Sequence, residues 1–413
     1  MRVAHIITSL GEGGAQAVLF RLCTNDPGNQ HTIISLMPEA RYGQMLSERG
    51  FRVINLDMPR GKFRLGPLWR LWKLLRQERF DIVQTWMYHP DLLGGLVARL
   101  AGQRRIFWGI RHTGLEPEHS ARSTIWIARC CAWLSPWLPT AIVCCADRAA
   151  EVHQAVGYAA DKLRVIPNGY QFSQWDTEPD EARALRHSLG IDDDTLLIGM
   201  VARCHAQKDH PGLLDAIVTL RQQGMAIRCL LVGDEVTRDN PEVDHWLTRR
   251  NLGDSVLALG TRTDIPVVMA ALDLHVLSSQ GGEGFPNVVA EAMAAGTPCV
   301  VTDVGDAARI VADDGWVVPP SDSAALAEAI AAALTERQQH PAAWQERQRR
   351  CRRRIRDEYG VARMVSAYTS LWQSTLPAPG EPVAEQPVAT ERGAPRPGAI
   401  TSGIAPPTER QSP

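Results

Sequence analysis

Two glutamates stand eight positions apart in residues 281–302, GGEGFPNVVAEAMAAGTPCVVT. Glu283 lies in a glycine-rich loop, whereas Glu291 lies inside an alanine-rich segment that is typical of a helix. Pro286 suits the first turn of that helix, and Gly296 suits its end. The pattern therefore places one carboxylate just before a helix and the other about a turn and a half inside it.

This spacing suits a ligand that carries an anion between two groups bearing hydroxyls. The backbone N–H groups at the predicted helix start, near Asn287 and Val288, form a site for a phosphate. A carboxylate accepts paired hydrogen bonds from vicinal hydroxyls, and each charge-assisted bond contributes about 1.5–3 kcal/mol. A sugar nucleotide has this layout, with a diphosphate between a hexose and a ribose. The alternative is structural: Glu283 caps the helix, and Glu291 lies on its solvated face.

Two cations follow a predicted strand in VARCHAQKDHPGLLDAI, residues 201–217. Arg203 and Lys208 would lie at the carboxyl end of that strand, where they could neutralise a diphosphate and stabilise it as a leaving group. The alternative is surface charge at a helix start. The loops LVGDE (231–235) and LGTRTDIP (259–266) lie at further strand ends and could contact a nucleobase, although structural turns have the same composition.

Apolar strand-like runs alternate with helix-like segments along the chain, which predicts a parallel α/β architecture. The first strands are predicted at residues 3–8, 31–36, 52–56, 81–86, 105–110 and 140–145. After a break at Pro167, Asn168 and Gly169, further strands are predicted at 196–202, 227–233, 256–260, 274–279 and 298–302. We therefore expect two doubly wound, Rossmann-like domains joined near residues 167–172. Ligands would bind beyond the carboxyl ends of the strands, in a cleft between the domains.

The expected boundaries follow from this pattern. Residues 1–167 form the first expected domain, and residues 168–355 form the second. Residues 356–376 form a last helix that could return to the first domain. Residues 377–413 are rich in proline and poor in large apolar side chains, so this tail is predicted to be disordered.

The overall composition argues against several classes of protein. The chain has 413 residues and a net charge of −2, so it lacks the basic field of a nucleic-acid-binding protein. Nine cysteines without a CxxC pair indicate reduced thiols in a cytoplasmic protein. The acidic run Asp192–Asp194 precedes a predicted strand, which is typical of a solvated turn. Arg129 and two prolines interrupt the apolar window 124–146, which favours a buried helix, a turn and a strand over a membrane span.

The second half of the chain resembles glycosyltransferase family 4, the retaining enzymes of the GT-B fold. The resemblance extends over roughly residues 160–320 and is looser in the first half, where it is carried by TSLGEGGAQ (8–16) and GIRHT (109–113). Ala202–Arg203 stands where the family often has Gly-Arg, which adds a methyl group and keeps the cation. The matching pieces are VIPNG (165–169), VARCHAQKD (201–209), LVGD (231–234), LGTRTDIP (259–266) and EGFPNVVAEAMAAGTPCVVTDVGD (283–306).

The resemblance implies that the first domain, 1–167, lies on the acceptor side and that the second, 168–355, binds the donor nucleotide. It also implies roles for particular residues. Glu283 would contact the donor hexose, and Glu291 would contact the ribose hydroxyls. His112 would border the donor sugar, although a buried or interfacial histidine is the alternative. The implied catalytic residues are His112, Arg203, Lys208 and Glu283. The implied donor-binding residues are Gly13, Gly14, Arg203, Lys208, Glu283, Gly284, Phe285, Pro286, Asn287, Val288 and Glu291. The implied base-binding residues are Asp234, Arg262 and Ile265.

The resemblance also implies a reaction. A hexose or N-acetylhexosamine would pass, with retention at the anomeric carbon, from a nucleotide-diphosphate sugar to a glycan or lipid-linked acceptor in polysaccharide biosynthesis. A UDP-sugar is the expected donor, and GDP-mannose is the alternative. In the scheme favoured for the family, the acceptor attacks the donor from the front face, and the departing phosphate takes its proton. No metal and no separate cofactor are expected, and the expected location is cytoplasmic.

Other functions stay open from the sequence. Gly11-x-Gly13 and Glu39 resemble part of a dinucleotide-binding fingerprint, but Gln16 stands at the third glycine position, and this alternative leaves residues 201–302 unexplained. A GT-B epimerase would need no acceptor, and a GT-B phosphorylase would need a pyridoxal lysine, for which we find no motif. A non-catalytic sugar-nucleotide-binding protein would keep the same donor contacts.

Residues 61–80, GKFRLGPLWRLWKLLRQERF, form a basic amphipathic segment. Trp69 and Trp72 alternate with Arg and Lys, a composition that suits the inner face of an anionic membrane. Packing of Leu71 and Leu75 onto a sheet explains the same pattern. Peripheral membrane contact is therefore one of two interpretations for this segment.

Overall fold

A computed structural model describes residues 1–11, 13–59, 64–115 and 121–377. The predicted disordered tail, apart from Pro377, lies outside the described residues, as do residues 61–63 of the basic segment. The helices are α1 (Gly14–Thr24), α2 (Arg41–Glu48), α3 (Leu65–Gln77), α4 (Gly95–Leu100), α5 (Arg122–Leu134), α6 (Asp147–Val156), α7 (Pro179–Ser188), α8 (His210–Gln222), α9 (Pro241–Arg249), α10 (Ile265–Ala271), α11 (Asn287–Ala295), α12 (Ala307–Val311), α13 (Ser323–Gln339), α14 (Pro341–Tyr359) and α15 (Val361–Gln373).

The first half of the chain forms a seven-stranded parallel sheet with the order β3-β2-β1-β4-β5-β6-β7. Buried runs such as Val3–Ile7, which are aliphatic apart from His5, form its central strands, because both faces of a parallel sheet are covered by helices. Its strands are β1 (Arg2–Ile7), β2 (Gln30–Ser35), β3 (Arg52–Asn55), β4 (Ile82–Trp86), β5 (Ile106–Ile110), β6 (Ala141–Cys144) and β7 (Leu163–Val165).

The second half forms a six-stranded parallel sheet with the order β10-β9-β8-β11-β12-β13. The order reverses direction next to β8, and such a reversal opens a crevice at the carboxyl ends of the strands. Its strands are β8 (Leu196–Val201), β9 (Ile227–Val232), β10 (Val256–Ala258), β11 (Leu274–Leu277), β12 (Cys299–Thr302) and β13 (Trp316–Val318). The predicted architecture of two doubly wound sheets is confirmed.

The last helices join the two halves. Gly360 separates α14 from α15. Residues of α15 are buried in one hydrophobic cluster with strands of the first sheet. Tyr170, which follows β7, forms a β-bridge with Gly360. Its N–H donates to Tyr359 O at 2.8 Å, and its carbonyl accepts from Val361 N at 2.8 Å. The chain leaves the first half near Tyr170 and returns to it at Gly360, so the two crossings lie next to each other.

The apolar window 124–146 forms α5, a turn and β6, as predicted, but α5 is only half-buried. Ala128, Cys131 and Ala132 face the core, whereas Trp126 and Trp133 are exposed. An apolar count over a window cannot separate a stripe that faces the core from one that faces outward. Within the described residues, no helix combines the length and apolarity needed to cross a membrane.

Candidate active site

The donor loop, residues 278–286, leads from the carboxyl end of β11 to the start of α11. Helix α11 begins at Asn287 and ends at Gly296, whose positive φ of 86° closes the helix as the sequence predicts. Within the described residues, Pro286 at the N-cap provides no side-chain hydrogen bond to the first N–H groups of α11. The helix start therefore offers backbone donors to an anion. The side chains of Phe285 and Pro286 are buried, so a ligand could meet only their backbones.

Glu283 and Lys208 meet directly in this loop. Lys208 Nζ forms an ion pair with Glu283 Oε1, and the Ser279 hydroxyl donates to the same oxygen at 2.7 Å. The side chains of Lys208 and Glu283 are 21% and 13% exposed, so a ligand can reach both. Two of the predicted catalytic residues thus stand in contact.

Residues just after β12 fix the backbone of the donor loop. Gly305 has φ +55°, and a Cβ atom there would lie 2.5 Å from Glu283 O. Asp306 N donates to Gly284 O at 2.9 Å, while its carboxylate accepts from Asp147 N and Arg148 N at the start of α6. Asp306 thereby joins the donor loop to the first half of the chain. Burial raises the pKa of its carboxyl.

His112 lies in the loop after β5, which touches the donor loop. The Thr113 hydroxyl donates to Glu283 O, and a Cβ atom on Gly284 would lie 3.4 Å from Arg111 O. His112 is half-buried. Burial, with a smaller contribution from the nearby His112, lowers the pKa of His153 to about 4. His112 and Glu283 therefore come from different sheets to adjacent loops.

Gly13 and Gly14 lie at the start of α1, opposite α11. A Cβ atom on Gly14 would lie 2.7 Å from Asn287 Nδ2, so glycine allows this close approach. Asn287 Oδ1 in turn accepts from Asn168 Nδ2 at 3.0 Å and from the Tyr170 hydroxyl. The predicted glycines and Asn287 are thus brought together across the cleft, and Val288 follows on the same helix start.

Glu291 is half-buried inside α11. Burial raises the pKa of its carboxyl, and Arg21 of α1 partly offsets that rise. Arg21 also stacks over the Tyr170 ring, 4.4 Å from its centroid. A carboxylate near one cation at the edge of the cleft can accept hydrogen bonds from ligand hydroxyls.

Arg203 and the predicted base-binding residues lie further along the strand ends. Arg203 is exposed directly after β8, and the adjacent Cys204 N donates to Asp234 O at 2.8 Å. Arg262 instead donates to the Asp264 carboxylate, with Nε at 2.8 Å from Oδ1, beside Ile265 at the start of α10. Within the described residues, no contact joins Arg203 or Arg262 to the Lys208–Glu283 pair.

Several site residues escaped the sequence analysis because their partners are distant in the chain. Asn168 and Tyr170 belong to VIPNGY, and Asp306 ends the motif at 283–306, but neither pattern indicates a contact. Ser279 and Arg21 stand in ordinary strand and helix sequence. A polar residue at the carboxyl end of a strand was the available signal for Ser279.

A cluster of possible metal ligands lies away from this loop, where Cys23 of α1 packs against His5 of β1 and His31 of β2. The Trp86 indole N–H donates to His5 Nδ1 at 3.2 Å, and His5 Nε2 lies 2.9 Å from His31 Nδ1. His31 Nε2 lies 3.3 Å from an Asp26 carboxylate oxygen. The Trp86 indole and the Asp26 carboxylate thus flank the two imidazoles.

Family comparisons cover both halves of the chain. Residues 12–174 match the model described as Glycosyltransferase Family 4, and residues 195–336 match the model described as Glycosyl transferases group 1. The UDP-Gal:alpha-D-GlcNAc-diphosphoundecaprenol alpha-1,3-galactosyltransferase of Escherichia coli is 27% identical over 260 residues, which are 61% of this chain and 66% of that protein. The lipopolysaccharide core biosynthesis mannosyltransferase LpsB of Rhizobium meliloti is 27% identical over 215 residues, 50% of this chain and 60% of that protein. The matches thus span less than two thirds of either relative.

Solved structures show the fold. Anabaena Alr3699/HepE in complex with UDP-glucose superposes with a TM-score of 0.79 at 22% identity, covering 91% of this chain and 100% of that one. WaaG, a glycosyltransferase involved in lipopolysaccharide biosynthesis, gives 0.68 at 15% identity, covering 90% and 99%. The predicted GT-B fold is confirmed. With its first half matched by the family 4 model and its second half by the group 1 model, this chain is a glycosyltransferase of the family 4 type.

Proposed function

We propose that this protein is a retaining, metal-independent glycosyltransferase that uses a UDP-sugar. It transfers a hexose or N-acetylhexosamine to a glycan or lipid-linked acceptor in polysaccharide biosynthesis. The observation that carries the proposal is the Lys208–Glu283 ion pair beside the start of α11. A diphosphate at that helix start would draw Lys208 to itself, and Glu283 would then be free to accept hydrogen bonds from a sugar hydroxyl.

The residues divide the work of transfer. Lys208, Arg203 and the N–H groups of α11 stabilise the departing diphosphate, which is where negative charge develops in the transition state. Glu283 orients the sugar, and Glu291 holds the ribose. His112, on the loop that touches Glu283 O, borders the sugar from the other side. The Lys208 and Ser279 contacts employ Glu283 as an acceptor, which supports front-face attack over a covalent glycosyl-enzyme.

The choice of donor rests on the relatives. UDP-Gal stands in the name of the Escherichia coli galactosyltransferase, and UDP-glucose is bound in the Anabaena structure. The mannosyltransferase LpsB keeps GDP-mannose as the second candidate. We place the reaction in the cytoplasm, in agreement with nine unpaired cysteines. For a lipid-linked acceptor, residues 61–80 are the segment for which the sequence leaves peripheral membrane contact open beside packing onto the sheet.

Thermal-shift and calorimetric titration with UDP, GDP, ADP and their common sugars, without added metal and with EDTA, tests the donor class. We expect one nucleotide to stabilise the protein, and we expect the stabilisation to disappear in Lys208→Ala and Glu291→Ala. Removing a charge-assisted contact of about 1.5–3 kcal/mol weakens binding roughly 10- to 150-fold. NMR of the first anomeric product then reports retention or inversion.

Matched variants separate a site effect from general damage. Glu328→Ala, on the exposed face of α13, removes a carboxylate away from the cleft and is expected to bind as the unmodified protein does. Binding of NAD(H) instead of any sugar nucleotide would refute the transferase proposal. Conversion of the donor sugar without an acceptor would favour an epimerase.

A further inference from the structure

Helices α3, α4 and α5 cover the same side of the first sheet, and their outward surface is unusually apolar. They pack into the cluster that contains Leu71, Ala98 and Ala128, whereas α1, α2 and α15 pack into the cluster on the other side. Among the described residues, seven of the eight large exposed hydrophobic side chains lie on α3, α4, α5 or the turn after α5. They are Leu65, Trp69, Leu96, Leu100, Trp126, Trp133 and Trp137.

Each helix carries its exposed apolar residues on one stripe, separate from its buried stripe. On α3, Leu71 and Leu75 face the sheet, while Leu65 and Trp69 are four positions apart on the outer side. Trp126 and Trp133 are seven positions apart on α5, so they share a face. Trp137 follows in the turn after α5, with its ring 5.6 Å from that of Trp133. The four tryptophans keep 59–70% of their exposure.

The three stripes form one surface. Trp72 Nε1 of α3 donates to Leu100 O of α4 at 3.4 Å. Arg99 of α4 donates to Leu138 O at 2.6 Å and to Trp137 O at 3.3 Å. We call the outward surface of residues 64–77, 95–104 and 121–138 the tryptophan face.

The three segments of the tryptophan face carry charge of one sign, although Asp57 beside them lies 3.9 Å from Arg70. These segments contain no Asp or Glu, although the whole chain has 46 acidic and 44 basic residues. Lys73 Nζ lies over the Trp69 ring at 5.5 Å, so cation and indole are presented together. The basic residues are Arg64, Arg70, Lys73, Arg76, Arg99, Arg104, Arg122 and Arg129, all of them exposed.

The geometry points to an anionic lipid bilayer as the partner of this face, and we propose that the protein docks there peripherally. Indole rings settle at the headgroup level of a bilayer, and Arg and Lys beside them attract anionic lipids. A two-fold dimer through the same face would bring eight cations against eight, which opposes a second copy as the occupant. The sequence indicated residues 61–80 alone, whereas the structure adds α4 and α5. Docking is a property beyond sugar transfer.

Sedimentation of the full chain with sucrose-loaded vesicles, without nucleotide, tests the proposal. We expect at least tenfold stronger binding to phosphatidylcholine vesicles with about 30% phosphatidylglycerol than to phosphatidylcholine alone, and weaker binding as salt rises from about 0.1 to 0.5 M. The triple variant W126S/W133S/W137S should lose at least tenfold in binding. Because these side chains are exposed, its thermal unfolding should match that of the unmodified protein.

A charge-matched pair of variants isolates the face. R70Q/R122Q/R129Q removes three cations from it, and R183Q/R349Q/R353Q removes three exposed cations from α7 and α14. We expect only the first to lose anionic-vesicle binding. Equal binding by both, or no vesicle binding at all, would overturn the proposal. A dimer seen by light scattering that the tryptophan variant dissolves, without vesicle binding, would assign the face to a second copy. None of these outcomes bears on donor binding, which is measured separately.

Discussion

At the scale of single residues, Glu291 combines its proposed role in donor binding with a carboxyl whose pKa is raised. It is half-buried in α11, and burial raises the pKa of its carboxyl, with Arg21 opposing part of the rise. A ribose hydroxyl needs an ionised acceptor for a charge-assisted hydrogen bond. Donor binding and deprotonation of Glu291 are therefore linked, and each favours the other.

This linkage predicts the pH dependence of donor affinity. As pH falls, Glu291 should take up a proton above the usual carboxyl range and lose acceptor strength, so a UDP-sugar should bind more weakly. Calorimetry from pH 8 to pH 5 measures the change. Glu291→Gln should bind about tenfold or more weakly at pH 8 and show a flatter profile. Glu328→Gln is the matched control, and a pH profile shared by both variants would contradict the role of Glu291.

At the scale of elements, the donor loop is positioned by the turn after β12 rather than by its own sequence. Gly305 lets that turn pass close to Glu283 O, and Asp306 N holds Gly284 O at 2.9 Å. Because glycines make the loop conformationally permissive, its contact with Gly305 and Asp306 determines the position of the Glu283 carboxylate. A displacement of about 1 Å at a reacting centre can cost about a hundredfold in rate.

Gly305→Ala should therefore damage binding and turnover more than stability. The new methyl group meets Glu283 O at 2.5 Å and must push the loop away. Gly190→Ala is a matched control, because Gly190 also has a positive φ, +66°, but has open space around it. Each variant should lose about 1–2 kcal/mol from its backbone conformation. Only Gly305→Ala should also weaken UDP-sugar binding in calorimetry; equal affinity in both would show that the turn does not position Glu283.

Elements were also the level at which the sequence was most informative. Each of the eleven predicted strands overlaps an observed one, because buried β-branched runs between turn residues mark parallel strands clearly. The three-residue strands Leu163–Val165 and Trp316–Val318 were missed, since so short a run shows no period. The α11 start and its Gly296 end were predicted from their capping residues. Contacts such as Asn168 with Asn287, 119 positions apart, have no local signal and required the fold.

At the scale of the whole molecule, α15 completes the core of the first sheet. Trp372 is fully buried, and its Nε1 donates to Gln84 Oε1 of β4 at 3.3 Å. Its ring centroid lies 6.0 Å from that of His5 in β1 and 5.4 Å from that of Tyr368. The first sheet therefore depends on a helix that follows the entire second sheet in the chain.

Trp372→Ala should destabilise the protein by about 3–5 kcal/mol, because it opens a cavity between α15 and the sheet and leaves Gln84 without its donor. Urea unfolding followed by circular dichroism measures the loss. Trp137→Ala removes an exposed indole and should change the free energy of unfolding by about 0.5 kcal/mol or less. Similar losses in the two variants would mean that α15 is not part of the structural core.

The place of α15 in the chain also has a consequence for biosynthesis. Domains generally fold as units while the ribosome is still working, with the N-terminal one first. Here β1 to β7 leave the ribosome early, but the surface that Tyr368 and Trp372 cover stays open until the second sheet has been made. Part of the apolar surface of the nascent first half therefore stays exposed until α15, which is synthesised after the second sheet, packs onto it. A chaperone that shields that surface during synthesis would act on the half that is translated first and finished last.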